Sequence, residues 1–391
     1  MRTTTSFSQW QRQCIRWMTR LGMLVLSILA SGESIAYDNT RDPPFQAATE
    51  GRRFGSISVH PDGEQWLITE TVMKNHDAQS EVIWLYHLPT KSMRQYQLPG
   101  AYQYVFPRFS PSGRYVLMSR YPVPIDAGQK AFRRALTQSE IVMMNTDGTG
   151  FQVLPIPKGR IFMPVMSPDE SKVAFWLAKK ERPPGERTIL TNFTVFEFDV
   201  STGSTRQFAG NFAFYEFHSL AYISNDQIVL GANGLVEGDS FPHQSSDLAE
   251  SQIFFQKRGV KEILNRSYTE FQGARDPTLD SLGNTYFKAE IKHIGISIVM
   301  QTIRRKFVIW RVPGSAADIL KIYADPTGNY LAVLYLLPTS YGSPVRRQRL
   351  GSIALFDVKK EIWVNVMPPL YQTADLIPVF EREISTTRKF N

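Results

Sequence analysis

The stretch that decides the fold is PRFSPSG, residues 107–113, followed directly by the apolar run YVLM at 115–118. A Pro-Ser-Gly tip suits a tight turn between antiparallel strands, because proline presets φ and glycine accepts a positive φ. Apolar residues dominate the second flank, as they do in buried strands. The stretch therefore predicts a β-hairpin.

The same pattern returns five more times along the chain. The tips of the six turns are 50, 57, 57, 55 and 46 residues apart. After a variable connection, each copy is followed by a second hairpin signal, such as the two β-rich runs around the turn at 201–203. A four-stranded unit of about 45–55 residues is typical of a propeller blade. The sequence thus predicts an all-β fold, a six-bladed β-propeller of four-stranded antiparallel blades over residues 54–367. An elongated β-solenoid or two stacked β-sandwiches is the alternative.

The turn phrases also carry a family resemblance. FSPSG, MSPDE, HPDG and DPTG resemble the repeats of TolB-like β-propellers, which are related to WD repeats but lack their Gly-His and Trp-Asp signatures, as this chain does. The resemblance implies a propeller fold and, by analogy alone, work in cell-envelope assembly. TolB itself has an α/β domain before its propeller. Here only residues 37–53 separate the predicted cleavage site from the first blade, so we expect that domain to be lacking.

The first 36 residues are typical of a secretory signal peptide. Four arginines charge its start, an apolar run occupies residues 21–30, and the small-x-small triplet at 34–36 predicts cleavage before Tyr37. The apolar run is shorter than the ~20 residues that span a bilayer as a helix. We expect a periplasmic protein; the alternative is an uncleaved segment that anchors the chain to the inner membrane.

The ends of the mature chain lie outside the repeats. Residues 37–53 form an N-terminal extension, and residues 368–391 form a C-terminal tail. Both contain a short apolar run, at 44–48 and at 376–380, and one of these runs is expected to add a ring-closing strand to a terminal blade.

Motifs of catalysis are sparse. The sequence has no Gly-x-Ser-x-Gly, so the propeller–hydrolase plan of prolyl oligopeptidases is not expected. The single cysteine, Cys14, lies in the signal segment, and the six histidines lack metal-ligand spacing. We expect no catalytic residue, no cofactor and no metal site. An enzyme whose acidic and basic residues gather at the channel mouth remains the alternative.

Loop lengths point to a binding face. If the strands of a blade are named A to D in chain order, the A–B and C–D turns share one face, and the B–C loops lie on the other. The sequence predicts short turns on the first face and long B–C loops at 71–80, 120–139, 178–191, 231–250, 288–305 and 337–351. Binding residues concentrate in long loops on rigid scaffolds, and Arg and Tyr are favoured at protein–protein hot spots. The predicted partner-binding residues are Tyr121, Arg133, Arg134, Lys179, Lys180, Arg182, Tyr341, Arg346, Arg347 and Arg349.

Charge is uneven along the chain. Residues 251–391 carry 20 Lys and Arg against 12 Asp and Glu, a net +8, whereas residues 37–250 carry a net −3. An envelope protein with an anionic surface would suit the positive part, as would a membrane or polysaccharide surface. Nucleic acid is not expected, since no aromatic–basic platform signature is present. We expect an exported, non-catalytic scaffold for protein–protein interactions in the bacterial cell envelope. The alternative is a propeller enzyme or binding protein acting on a carbohydrate or peptide at the channel mouth.

Overall fold

The computed structural model of the protein describes residues 52–74, 77–124, 129–181, 190–210, 212–237, 252–266, 271–280, 282–302, 304, 306–312, 318–325, 328–336, 351–366 and 375–379. All of them belong to one structural unit. The predicted signal peptide lies outside these residues, as do most of the N-terminal extension, whose last two residues begin the first strand, and most of the C-terminal tail.

The first three blades are built in chain order. Blade 1 contains β1 (Arg52–Val59), β2 (Gln65–Lys74), β3 (Asp77–His87) and β4 (Ser92–Gln97). Blade 2 contains β5 (Tyr102–Phe109), β6 (Tyr115–Pro122), helix α1 (Gln129–Leu136), β7 (Glu140–Asn145) and β8 (Gln152–Val153). Blade 3 contains β9 (Ile161–Met166), β10 (Lys172–Glu181), β11 (Leu190–Asp199) and β12 (Thr205–Gln207).

The remaining blades follow the same plan. Blade 4 contains β13 (Phe212–Ser224), β14 (Gln227–Glu237), β15 (Gln252–Lys257) and β16 (Ile263–Arg266). Blade 5 contains β17 (Gln272–Leu279), β18 (Thr285–Ile291), β19 (Gly295–Gln301) and β20 (Phe307–Arg311). Blade 6 contains β21 (Asp318–Ala324), β22 (Tyr330–Leu336), β23 (Gly351–Asp357) and β24 (Ile362–Val366), and a last strand, β25 (Asp375–Pro378), follows it.

Each blade is a meander of four antiparallel strands, which confirms the predicted fold class. The first strand of every blade packs against the first strand of the next, and β21 of blade 6 packs against β1 of blade 1. Blades 3 and 4 are also joined through their backbones, because Phe193 of β11 pairs with Phe214 of β13. Among the described residues, no helix has both the length and the apolar character needed to cross a bilayer.

The A–B turns follow the chemistry of their tips. In blade 2, Gly113 has φ = 74°, and its N–H donates to the carbonyl of Ser110 at 2.9 Å. A Cβ at this position would clash with Nε2 of His60, in the corresponding turn of blade 1. Glycine therefore adopts this backbone conformation without strain and leaves room for the close approach of the neighbouring blade.

The turns touch from blade to blade. Nε2 of His60 lies 3.2 Å from the carbonyl oxygen of Gly113, and the N–H of Ser112 donates to Oε1 of Glu170 in blade 3 at 2.9 Å. The N–H of Asp169 then donates to Oδ1 of Asn225 in blade 4 at 3.0 Å. The face of the A–B turns is thus interlocked across four successive blades.

Two features tie the ends of the propeller. A buried cluster joins Phe54 and Trp84 of blade 1 to Tyr323, Leu334 and Leu355 of blade 6. In addition, β25 pairs in parallel with β4 on the outer edge of blade 1. This strand comes from the apolar run at 376–380, one of the two candidates for an added strand.

The inner strands bulge. The register shifts within β5 between Val105 and Arg108, within β13 between Phe217 and Ser219, and at comparable points of β1, β9, β17 and β21. In β5 the bulge places Phe106 at φ = 56°. Bulges often change the direction of side chains beside functional sites. The bulges of β5 and β13 both contribute residues to the pocket described below.

Three connections differ from the sequence expectation. The prediction of a loop at 71–80 is wrong, because β2 extends to Lys74 and β3 begins at Asp77, so that the two strands form a long hairpin. The prediction of a long loop at 288–305 is also wrong, because a tight turn of residues 292–294 joins β18 to β19. His293 in this turn has φ = 69°, and Gly295, the first residue of β19, has φ = 90°. The strand that follows at 307–311, β20, is therefore the D strand of blade 5, whereas a long loop at 288–305 would have made it the C strand. The third connection, at 120–139, contains helix α1.

Candidate functional site

A cavity of about 600 Å³ opens on the face that carries the B–C connections. We call it the aromatic pocket. Its walls come from the inner strands β5, β9 and β13, the end of β6, helix α1 and the start of β11. It is lined by Val105, Phe106, Tyr121, Phe132, Leu136, Phe162, Leu190, Phe193, Glu216, Phe217 and His218. A volume of this size lies in the range of ligand-binding pockets.

The floor of the pocket is a cluster of phenylalanine rings. The Phe217 ring lies 4.7 Å from Phe193, 5.4 Å from Phe162 and 6.3 Å from Phe106, measured between centroids. The indole of Trp176 supports Phe217 from behind at 5.7 Å. These separations are typical of favourable aromatic pairs, so the apolar floor is a packed surface and not a loose collection of loops.

The pocket lies where the backbone departs from regular structure. Phe106 and Phe217 stand at the bulges of β5 and β13, and Phe193 pairs with Phe214 where β11 of blade 3 meets β13 of blade 4. Because each bulge turns its residues away from the alternating pattern, aromatic side chains of three inner strands gather at one point.

Two polar side chains interrupt the apolar lining. Glu216 and His218 both stand on β13, and both are half-buried. No cationic side chain of the described residues lies within ion-pair distance of the Glu216 carboxylate. Opposite Glu216 on β14, Oδ1 of Asn233 is buried and has no hydrogen-bond donor among the described residues. The wall formed by blade 4 is therefore the polar side of the pocket.

A buried ion pair fixes the strands that hold Tyr121. Nε of Arg120 lies 3.0 Å from Oε2 of Glu140, and Nζ of Lys158 lies 2.8 Å from Oε1 of the same carboxylate. Burial would raise the pKa of Glu140, but the hydrogen bonds and charges of Lys158 and Arg120 outweigh it and keep the pKa below its usual value. Tyr121 follows Arg120 directly and packs against Phe132 of α1 at 5.8 Å.

Of the predicted binding residues that the structure describes, one lines the aromatic pocket. Tyr121 does so and is 8% exposed. Arg133 and Arg134 lie on α1, next to the pocket-lining Phe132, with Arg133 half-buried and Arg134 exposed. The exposed Lys179 lies elsewhere: its Nζ donates to Oε1 of Gln207 on the outer strand of blade 3 at 3.4 Å.

The other predicted residues are not placed by the structure. Lys180 belongs to β10, but its side chain lies outside the described residues. The same holds for the whole of Arg182, Tyr341, Arg346, Arg347 and Arg349. Their role in partner binding stays a prediction.

The phenylalanines that β5, β9, β11 and β13 contribute to the pocket, and its polar wall, were not predicted from the sequence. A signal was present: NFTVFEF at 192–198 and NFAFYEF at 211–217 repeat a Phe-rich phrase with a glutamate before the last Phe. Phe-rich runs of this kind usually belong to the hydrophobic core and not to a binding site. Here their side chains form both the core and the floor of the pocket. In the part of the chain that the structure describes, no group of His, Cys, Asp and Glu is arranged to hold a metal ion.

Comparison with known proteins identifies the fold. No family model matches the chain, and no curated protein sequence matches it. Among solved structures, TolB from Acinetobacter baumannii is similar with a TM-score of 0.48 and 10% identity, covering 82% of this chain and 64% of that one. The acylaminoacyl peptidase of Pyrococcus horikoshii has a TM-score of 0.51 and 11% identity, covering 82% and 53%. An oligogalacturonate lyase from Vibrio parahaemolyticus has a TM-score of 0.46 and 11% identity, covering 84% and 78%.

The arrangement of the six four-stranded blades defines the class of protein, a β-propeller. The chain spans only 64% of the TolB structure and 53% of the peptidase structure. At 11% identity, the likeness to the peptidase concerns the fold alone, and a shared fold does not define a function.

Proposed function

We propose that the protein is an exported, non-catalytic β-propeller scaffold that binds a protein partner in the bacterial cell envelope through the aromatic pocket. The observation that carries the proposal is the pocket itself: about 600 Å³, lined mainly by apolar side chains with five phenylalanines among them, on the face of the B–C connections. TolB-like work in the envelope is inferred from the repeat resemblance, and export from the N-terminal segment.

The chemistry of the pocket favours an apolar anchor from the partner. Burying apolar surface contributes about 25 cal/mol per Å², and one large side chain seated in a preformed pocket is typical of a binding hot spot. Phe132 is well placed to contact such an anchor, because α1 presents it at the open side, against Tyr121. Arg133 and Arg134 follow it at the rim and suit an anionic surface around the anchor.

The test is capture from the envelope fraction with the protein as bait, produced in bacteria with its own N-terminal segment, compared with the Phe132→Ala variant. Alanine favours helix, so α1 should persist. The loss of a hot-spot contact of about 2 kcal/mol weakens binding roughly 30-fold. Partners are quantified by mass spectrometry, and N-terminal sequencing of the bait should give a start at or near Tyr37.

The matched control is Leu282→Ala. Leu282 is 60% exposed and lies in an A–B turn of blade 5, on the opposite face. A partner lost with Phe132→Ala and kept with Leu282→Ala supports the proposal. Equal capture by both variants would contradict it, and Met1 retained on the bait would favour an uncleaved anchor.

A second candidate function rests on Glu216 and His218. A carboxylate and an imidazole on one wall of an aromatic pocket are also groups that could exchange protons with a bound carbohydrate or peptide. This reading requires turnover that Glu216→Gln abolishes while Phe132→Ala only weakens substrate binding. Degradation of neither substrate class by the wild type would leave the scaffold as the better proposal.

A further inference from the structure

A second feature of the propeller lies away from the aromatic pocket. Arg108 of β5 directs its guanidinium toward blades 1 and 6, where Nη1 donates to the carbonyl oxygen of Ile57 at 3.2 Å. The guanidinium carbon also lies 5.2 Å from the ring centroid of Tyr323 on β21. One side chain thus touches the inner strands of the first and last blades, where the ring closes.

The charge of Arg108 has no counter-charge among the described residues. No Asp or Glu oxygen of these residues lies within 4 Å of its guanidinium, and its Nε is buried without an acceptor. Guanidinium offers five N–H donors, and the structure gives an acceptor for one of them. Burial accordingly lowers the pKa of Arg108.

A second unsatisfied donor stands beside it. Tyr323 is 5% exposed, and its hydroxyl is buried and has no hydrogen-bond partner among the described residues. Two positions earlier on the same strand, Nζ of Lys321 donates to the carbonyl oxygen of His218 at 3.1 Å and forms no ion pair with a described carboxylate. Lys321 and Tyr323 thus give β21 a positive charge and hydrogen-bond donors. The guanidinium of Arg108, which lies against Tyr323, adds a second positive charge and more donors.

Buried cations are normally paired, and a buried hydroxyl normally finds an acceptor, because leaving either unsatisfied is costly. An oxyanion would satisfy both groups at once: its oxygens accept from the guanidinium by charge-assisted hydrogen bonds and from the tyrosine hydroxyl. We propose that Arg108 and Tyr323 form a binding site for a small oxyanion, a phosphate or a carboxylate, at the junction of blades 6, 1 and 2.

The site predicts a linkage between anion and stability. A ligand that binds the folded state alone raises the melting temperature by mass action, and at about a hundredfold excess over Kd we expect a shift of roughly 5 °C. The shift should saturate with inorganic phosphate at constant ionic strength, and acetate serves as the carboxylate probe. Chloride replaces either anion in the reference buffer.

Three variants make the test specific. Arg108→Gln should remove the saturable shift. Arg114→Gln, which removes the same charge from an exposed turn of the same blade, should leave it unchanged. Tyr323→Phe keeps the ring under the guanidinium and should weaken phosphate about fivefold to tenfold.

A direct readout accompanies the melting curves. With ¹⁵N-arginine labelling, one Nε–H resonance, absent from Arg108→Gln, should move as phosphate is added. If Arg108→Gln does not fold, the resonance and Tyr323→Phe decide the question. The proposal would be overturned if the melting temperature rose linearly with phosphate, and equally in the wild type and Tyr323→Phe, while no Nε–H resonance moved. That result would leave the aromatic-pocket experiment unaffected.

Discussion

At the residue scale, Glu170 shows how one side chain joins two blades. It occupies the turn position that is glycine in blade 2, and it adopts φ = 56°, a region that L-residues rarely visit. Its Oε1 accepts the N–H of Ser112 in that blade at 2.9 Å. The contact offsets the backbone cost, which explains why this turn reads MSPDE where its neighbour reads FSPSG.

The carboxylate should make this contact dependent on pH. Burial would raise the pKa of Glu170, but hydrogen bonds from Ser112 and Ser110 outweigh it and lower the pKa below its usual value. A lowered pKa means that the stabilisation is fully present above the unfolded value, ~4.3, and is lost as pH falls through the folded value. Glu170→Gln should therefore cost about 1 kcal/mol of unfolding free energy at pH 7, and the difference should shrink toward pH 3.

Urea unfolding at a series of pH values measures this difference. Glu64→Gln is the control, since Glu64 follows the tip of the corresponding turn in blade 1 and is exposed. A deficit for Glu170→Gln that stays constant from pH 7 to pH 3 would refute the role of the ionised carboxylate.

At the scale of elements, β25 is the strand that sequence repeats do not include. It pairs in parallel with β4, and its Ile377 is 1% exposed in a cluster that contains Tyr96 of blade 1 and Phe151 of blade 2. Pro378 also contacts the turn at Gly148 of blade 2 closely. The strand therefore fastens blade 1 to blade 2 from the outside.

Ile377→Ala should lower the free energy of unfolding by about 3 kcal/mol, because it leaves a cavity between two blades. Its neighbour supplies the control: Leu376 is 47% exposed, and Leu376→Ala should change stability by less than about 0.5 kcal/mol. Urea midpoints of the two variants give the comparison. Equal midpoints would mean that β25 does not fasten the blades.

The elements also show where sequence reading succeeds and fails. Blades with Pro and Gly at the A–B tip, such as 107–113, could be predicted because local turn chemistry fixes the hairpin. The C strand of blade 5 could not, because its turn at 292–294 reads Lys-His-Ile and no proline marks it. The aromatic pocket was equally hidden, since Phe106, Phe162 and Phe217 meet only when three blades are packed together.

At the scale of the whole molecule, the cluster between blades 1 and 6 couples the stability of each blade to that of the others. Leu355 is 1% exposed in this cluster, beside Phe54 and Trp84 of blade 1. An open array of repeats can unfold unit by unit, whereas a ring whose ends pack together gives each blade two neighbours.

Leu355→Ala should therefore cost about 3 kcal/mol and shift the entire unfolding transition. Tryptophan fluorescence, which reports on blades 1, 3, 5 and 6, and far-UV circular dichroism should move together in urea. Leu320→Ala, in the same blade but 36% exposed, is the control. Two separate transitions in the variant would show that the blades unfold independently.

The interlocked A–B turns have a consequence for how such a protein can change over generations. A residue gained or lost in the turn of Gly113 would misplace the contacts to His60 and Glu170 and so disturb two neighbouring blades. On the opposite face, a B–C connection can be as short as 292–294 or can accommodate a helix, as between β6 and β7. Insertions and deletions are thus tolerated on one face and selected against on the other, so the recognition surface can be remodelled while the scaffold beneath it keeps its shape.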